Sequence, residues 1–331
     1  MKKLFLLLVV FYCELSFSQQ NLNDIPDLIG WYNSQNTVII DSNIYKLVDQ
    51  SDYHHDLTQS NIGQRPSLIN NYLNSFPAIT FDGNDVLKVL YDSVLSTEST
   101  IFIINSNEKS NDFVFDGGLH YNAFRNTGSS TMLYTQGANM TYSKYYIYPT
   151  TLFNFVSIGN NSKIYENGVL KKTGNVNSAP VSGFTLGNIK NGNYYFEGEI
   201  IEVLIFKREL LETERLFVEQ YLMDKYAPPI DLGEDLAIDY GFCDTSLISP
   251  NFYKEYLWNT GSTDSSIVVD NPGLYWLETI DVFDRVSRDT IIVTMPLRDS
   301  LILDSEFSCF NESLSINAFV PQGNYIFESW S

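Results

Sequence analysis

Short apolar segments that alternate by twos and end on Gly, Asn or Asp turns recur along most of this chain. That pattern constrains the fold more than any other feature. Ile79 and Phe81 alternate with Ala78 and Thr80, and Thr100-Ile-Phe-Ile-Ile104 is a short run of the kind buried on both faces of a sheet. Turn punctuation follows at Asp116-Gly117-Gly118, Asn167-Gly168 and Asn191-Gly192. Many short strands joined by polar turns predict an all-β sandwich or jelly roll over residues 19–229. One helical stretch interrupts the pattern, at about 210–226. Leu211, Phe217, Val218, Tyr221 and Leu222 fall within less than half of its circumference, and Pro228-Pro229 stops it. A single amphipathic helix at the end of a domain is expected to cover a sheet face or edge.

After Pro229 the pattern shortens. Tyr256-Leu-Trp-Asn-Thr-Gly261 reads as a strand and its turn, Ser266-Ile-Val-Val269 as a strand, Asn271-Pro-Gly273 as a turn. Leu274-Tyr-Trp-Leu-Glu278 and Asp289-Thr-Ile-Ile-Val-Thr294 complete a small β-sandwich over 230–296. Its opening then repeats. Leu232-Gly-Glu-Asp-Leu-Ala-Ile-Asp239 matches Leu297-Arg-Asp-Ser-Leu-Ile-Leu-Asp304, and Phe242-Cys243 matches Phe307-Ser308-Cys309. Tyr256-Leu-Trp258-Asn259 is echoed by Phe327-Glu-Ser-Trp330-Ser331. This is the signature of tandem modules. The second copy, 297–331, stops at its central Trp and holds half a sandwich, so the chain reads as a fragment of a longer protein. Cys243 and Cys309 occupy equivalent places in two copies, which argues against a bridge within one module.

Composition narrows the class of function. The chain of 331 residues has room for two or three domains. It carries 40 acidic against 20 basic residues, a net charge of −20, which disfavours a nucleic-acid partner. That acidity serves solubility, and it also offers carboxylates to calcium. Its 22 Tyr and 22 Phe suit packed β-sheets, the simplest account of them, and are compatible with stacking on sugars. The amino terminus reads as an export signal over 1–18. Lys2 and Lys3 precede the apolar run Leu4–Tyr12, too short to span a bilayer, and Ser16 and Ser18 stand before an expected cut at Gln19. Tyr12 before Cys13 does not fit a lipoprotein cleavage site. No later segment is long and apolar enough to cross a membrane as a helix, so a mature chain without a transmembrane segment, secreted or on the outer cell surface, is expected.

Several segments, in order, resemble the concanavalin A-like, laminin-G-type (LamG) jelly-roll domains of secreted bacterial proteins. Ile25-Pro-Asp-Leu-Ile-Gly-Trp31-Tyr resembles the first strand of that family. Asp49-Gln50-Ser51 with His55-Asp56-Leu-Thr-Gln59 resembles its "D-Q-S-G-N…H-D-A-T-Q" segment, although Val48 stands where Trp is usual. Arg65-Pro66 with Phe76-Pro-Ala-Ile-Thr-Phe-Asp-Gly83 resembles "R-P…P-A-I-x-F-D-G". Phe196-Glu-Gly-Glu-Ile-Ile-Glu-Val-Leu-Ile-Phe206, followed by Glu214-Arg215 and Glu219-Gln-Tyr-Leu222, resembles the closing strand and helix. Leu211 takes the place of a capping Ser. Residues beyond 230 resemble the Ig-like tandem modules of Bacteroidetes surface proteins, with the later Cys of that pattern missing near Arg285–Arg288. The resemblance implies a jelly roll with one carboxy-terminal helix, Ig-like modules acting as spacers, and binding or adhesion to a glycan or a cell-surface protein.

The jelly-roll scaffold also hosts glucanases, which carry E-x-D-x-x-E on one strand as nucleophile and acid/base. The nearest match is Glu197-Gly-Glu199-Ile-Ile-Glu202. Strand parity puts Glu197 and Glu199 on one face and Glu202 on the other unless a bulge realigns them, and no Asp stands at the centre. A polysaccharide hydrolase using Glu197 and Glu199, or a catalytic domain beyond residue 331, is therefore the rival reading. The oxygen-rich turn Asp82-Gly83-Asn84-Asp85 makes Asp82, Asn84 and Asp85 candidate calcium ligands, against its reading as a plain turn. Tyr142, Tyr145, Tyr146 and Tyr148 cluster beside Lys144. Alternation sets Tyr146 and Tyr148 on one face as candidate sugar-stacking rings. His54-His55 among Asp49, Asp52 and Asp56 reads as a structural loop, because adjacent extended residues point opposite ways. No nucleophile triad, Walker loop or dinucleotide fingerprint is present.

Overall fold

The computed structural model describes residues 21–119, 122–127, 130–135, 138–144, 148–178, 180–189, 192–238, 245–295, 302–303 and 318–319. The expected export signal, Tyr146, Cys243, Cys309 and most of the incomplete module at 297–331 lie outside them. The chain divides into two compact units, the first running to Pro228 and including Val282–Asp284, the second holding the rest from Pro229.

Two sheets build the first unit. Sheet A has the order β15 (Val169–Gly174), β14 (Ser162–Glu166), β13 (Tyr148–Ser157), β8 (Ser99–Asn107), β17 (Glu197–Phe206), β6 (Phe76–Asp82), β5 (Ser67–Leu73). The strand β1 (Leu28–Asn33) takes the place of β6 beside the second half of β17. Sheet B has the order β12 (Ala138–Ser143), β11 (Ser130–Thr135), β10 (Asn122–Asn126), β9 (Asp112–Gly117), β16 (Gly183–Leu186), β7 (Leu87–Leu90), β4 (Leu57–Thr58), β3 (Asn43–Leu47), β2 (Thr37–Ile40). Ile79, Phe81 and Ile103 from sheet A meet Phe115, Phe124 and Phe184 from sheet B in one buried core. Phe124 sits 4.6 Å from Phe155 and 4.9 Å from Phe153 between ring centroids. Much of the aromatic content is thus spent between the sheets, where each ring removes a large apolar surface from water.

The run at 100–104 is buried on both sides for a physical reason. Ile101 and Ile103 enter the inter-sheet core, while Phe102 and Ile104 face the other way. There they meet the helix α1 (Glu212–Tyr226), which lays Val218, Leu222, Met223 and Tyr226 on the outer face of sheet A. Burying each such side chain contributes roughly 1.5–3 kcal/mol. The wheel drawn from sequence placed Leu211 on this face, but Leu211 precedes the helix and is 66% exposed. Its amide donates to Glu214 at 2.8 Å, half of a capping box that Leu, lacking a side-chain acceptor, cannot complete. The helix also buries a charge pair. Arg215 meets Glu219 at 2.5 Å and lies over the ring of Tyr165, 4.2 Å from its centroid.

The second unit is also a β-structure. One sheet has the order β18 (Leu236–Ala237), β23 (Val286–Thr294), β22 (Gly273–Ile280), β20 (Glu255–Trp258); a second pairs β19 (Thr245–Ile248) with β21 (Ser266–Val269). Both contribute to a core around Trp258, with Leu247, Tyr253, Ile267, Leu277 and Ile291. The Trp258 indole donates to the Asp264 carbonyl at 2.9 Å, so its one polar atom is satisfied although the ring is buried. Beyond it, β24 (Ile302–Leu303) pairs with β25 (Ala318–Phe319).

Candidate ligand cleft

The outer face of sheet B carries an open cleft of about 610 Å3. Strand parity builds its floor. Leu57, Leu87 and Phe184 point into the core, so their neighbours Thr58, Lys88 and Thr185 point outward. Register aligns those three, since Thr58 pairs with Lys88 and Lys88 with Thr185. Tyr45 and Asp56 close one side, and Leu90 and Leu119 give the other an apolar wall. Gly118 and Gly183 make the close approach at this end possible: a Cβ on Gly183 would meet the Val89 carbonyl at 2.5 Å and the Gly118 Cα at 2.9 Å.

The rim is fixed by hydrogen bonds. Arg65 donates to the carbonyls of Gln59 at 2.8 Å and Ser60 at 3.1 Å, and its guanidinium lies over the Tyr45 ring at 5.0 Å. Asp56 accepts from Lys46 at 2.8 Å and from the Asp49 amide at 3.0 Å. Lys88 is exposed and makes no ion pair with the described residues, which leaves its ammonium open to a ligand. The arrangement offers hydroxyls, one carboxylate, one ammonium and a short apolar wall.

The motif at 49–56 supports this rim from below. The buried Asp49 carboxylate accepts from the amides of Trp31 at 2.8 Å, Ser51 at 2.9 Å and His55 at 2.8 Å, and from the Ser51 hydroxyl at 2.9 Å. His55 stacks on Tyr91, 4.1 Å between centroids, and its carbonyl accepts from Tyr32 at 2.7 Å. These contacts give the segment a structural role.

The carboxylates of the glucanase-like stretch lie elsewhere, on the outer face of sheet A. A bulge changes the parity read from sequence. Ile200 pairs with Asn105 and Glu202 with Ile104, so Ile201 is the extra residue and Glu202 turns to the same side as Glu197 and Glu199. It is then buried under α1, accepting from Trp31 Nε1 at 2.5 Å, Lys225 at 2.8 Å and Tyr226 at 2.7 Å. Glu199 accepts from the Ser106 hydroxyl, and Glu197 is half-exposed, 3.4 Å from Lys109. None of the three lines the cleft.

At the turn 82–85, Asp82 and Asn84 are exposed and Asp85 is buried. The Asp82 amide donates to Asp85 at 3.0 Å and the Asn84 amide to Asp82 at 3.2 Å, so the turn holds its own backbone. Burial, reinforced by the neighbouring Asp82 charge, pushes the Asp85 carboxyl up to about 6. Tyr148 requires a correction as a stacking ring: it is 5% exposed, inside the inter-sheet core, with its hydroxyl held by Asn105. Tyr142 donates to Glu166, which also pairs with Lys144 at 2.7 Å. Sequence reasoning passed over Tyr45, Thr58, Lys88 and Thr185. Each is a single outward residue of a short strand, and only the strand order brings them together.

No family model matches the sequence, and no curated protein matches it. Solved structures with a similar backbone are distant. Domain 4 of AbnA, a GH43 extracellular arabinanase from Geobacillus stearothermophilus seen with arabinotriose, is 18% identical at a TM-score of 0.44, over 59% of this chain and 98% of that one. The ligand-binding domain of botulinum neurotoxin serotype D, seen with N-acetylneuraminic acid, is 13% identical at 0.44, over 77% and 71%. Trypanosoma rangeli sialidase is 13% identical at 0.44, over 60% of this chain and 33% of its own, so this chain spans about a third of that enzyme.

Proposed function

We propose that this chain belongs to a secreted or cell-surface binding protein whose first unit holds a glycan, or the surface of a protein partner, in the cleft on sheet B. The second unit serves as a spacer. One observation carries the reading: the hydroxyl, ammonium and carboxylate groups of the cleft stand beside an apolar wall, while Glu197, Glu199 and Glu202 sit on the other sheet. A sugar ring presents the complementary surface, hydroxyls at its edge and C–H groups on its face. The net charge of −20 weighs against a polyanionic glycan and for a neutral or sparsely charged one. The likeness of residues 25–229 to laminin-G-type domains supports the same reading.

A glycan array probed with the whole chain tests binding, and reducing-end assays on laminarin and related glucans test turnover. Binding without turnover is expected. Turnover abolished by Glu197→Gln or Glu199→Gln would replace this reading with a hydrolase.

A further inference from the structure

Arginines that lie over aromatic rings recur in this chain, and they differ in how their N–H groups are used. Arg65 lies over Tyr45 and donates to the carbonyls of Gln59 and Ser60. Arg215 lies over Tyr165 and pairs with Glu212 and Glu219. Arg288 lies over Trp276 and pairs with Glu278. Arg125 differs. Its Cζ sits 5.1 Å from the centroid of Phe113 and 5.4 Å from that of Tyr194, and it makes no hydrogen bond or ion pair with the described residues. The chain has 40 acidic against 20 basic residues, so this guanidinium is unpaired by placement and not for want of carboxylates.

The sheet aims it outward. Arg125 follows Phe124, which points into the inter-sheet core, and pairs with Phe113 across a bulge at Val114. Cross-strand partners share a face, so Phe113 and Arg125 lie on the outer face of sheet B. The Phe113 amide donates to the Tyr194 carbonyl at 3.0 Å, which sets Tyr194 beside them, 5.9 Å between ring centroids. Phe113 is buried, while Tyr194 keeps 50% of its surface exposed. Arg125 is half-buried: its Nε is shut off from water without a partner, and its Nη1–Nη2 edge stays open. Covering Phe113 needs only the flat face of the guanidinium, and the N–H groups in its plane remain unused. The same strand leads to the cleft. Asp116, about 10 Å along β9 from Phe113, pairs with Thr185 of the cleft floor.

We propose that Arg125, held against Phe113 and Tyr194, receives the carboxylate of an acidic sugar residue in the glycan that sheet B binds, an inference that rests on the reading of this face as the glycan-binding one. A guanidinium edge matches a carboxylate with two parallel N–H···O bonds, and the two rings fix its plane before the ligand arrives. The half-exposed Tyr194 ring gives the C–H face of the same sugar a surface to pack on. The net charge of −20 repels a polyanion at long range, whereas a single carboxylate among neutral sugars meets the local fork. The ligand class is therefore a glycan with isolated carboxylated residues, a hexuronate or a sialic acid.

Calorimetric titration of the whole chain with two matched pairs of probes tests this. One pair is a xylo-oligosaccharide bearing glucuronic acid and the same oligosaccharide without it; the other is sialyllactose and lactose. In at least one pair the acidic member should bind about tenfold tighter or more, with an advantage that shrinks as sodium chloride is raised. The pair that shows it identifies the source of the carboxylate. Arg125→Gln should reduce the acidic member to the affinity of its neutral partner, and Arg125→Lys, which keeps the charge and loses the fork, should restore only part of the difference. Tyr194→Ala should weaken both members. The wild-type comparison needs no variant, so it stands if Arg125→Gln does not fold. The proposal is overturned if the acidic members bind no tighter than the neutral ones, if Arg125→Gln keeps the preference, or if the preference follows Lys88→Ala instead. Neutral probes that bind without any acid preference, and are lost in Thr58→Trp, leave the cleft standing and remove this contact. A preference that depends on Arg125 and is indifferent to Thr58→Trp keeps this contact and removes the cleft.

Discussion

Glu202 shows how much one residue can carry when its surroundings remove water. Its carboxylate receives an indole N–H, an ammonium and a phenol under α1, with none of its side chain exposed. Removing it leaves Lys225 and two other donors without their acceptor. Glu202→Ala is therefore expected to lower unfolding free energy by about 3–5 kcal/mol, measured by urea denaturation, with Glu202→Gln milder. Asp85 gives a pH dependence of opposite kind to the usual carboxylate. Its folded pKa is raised to about 6, so between pH 4 and 6 the folded state holds a proton that the unfolded state has released. Stability from this group is full at acid pH and falls as pH rises through about 6, by at most about 3 kcal/mol. Asp85→Asn should flatten that part of a stability–pH curve measured by thermal melting in EDTA; an unchanged curve would remove Asp85 as its source. At this scale the sequence was only partly legible. The segment of Asp49 and His55 reads as a structural loop because His54 and His55 are adjacent and because it resembles a laminin-G-type motif, and its hydrogen bonds give it that role. Lys88 and Thr185 carried no signal, because an outward residue on a short strand looks the same whichever strands flank it.

Elements were easier to read than their registers. The alternation at 78–81 and the run at 100–104 identified strands, and the helix was found within two residues of its start. The bulge at Ile201 was not readable, since it exists only in the pairing of β17 with β8. It decides which way Glu202 points. Deleting Ile201 removes the extra residue and leaves Glu202 opposite Ile104 on the outer face, at the loss of the Ile201 side chain from the core under α1. The expected outcome is a variant that still unfolds cooperatively but is less stable in urea by about 2–5 kcal/mol for the lost Ile201 packing, and a variant without a folded near-ultraviolet circular dichroism spectrum would contradict the account of the bulge. The buried face of α1 likewise depended on the sheet beneath it. Charged Arg215 and Glu219 are inside because they satisfy each other over Tyr165, and no hydrophobicity pattern marks such a pair.

On the scale of the whole molecule, the all-β class was legible because turn residues and period-two runs are local signals. The cleft was not, because it is made by strands distant in the chain. Residues 19–229 hold both sheets and the helix, and that segment alone is expected to unfold in one cooperative transition. A molten near-ultraviolet spectrum for it would place the boundary elsewhere. The central claim is that the outer face of sheet B binds a glycan, and filling the cleft tests it most directly. Thr58→Trp places an indole over the floor, and Lys88→Ala removes the open ammonium. For a glycan that the wild-type chain binds, calorimetric titration should show at least a tenfold loss in Thr58→Trp and a smaller loss in Lys88→Ala, with melting temperatures close to wild type. Unchanged affinity in both variants would contradict the claim and move the binding surface off sheet B.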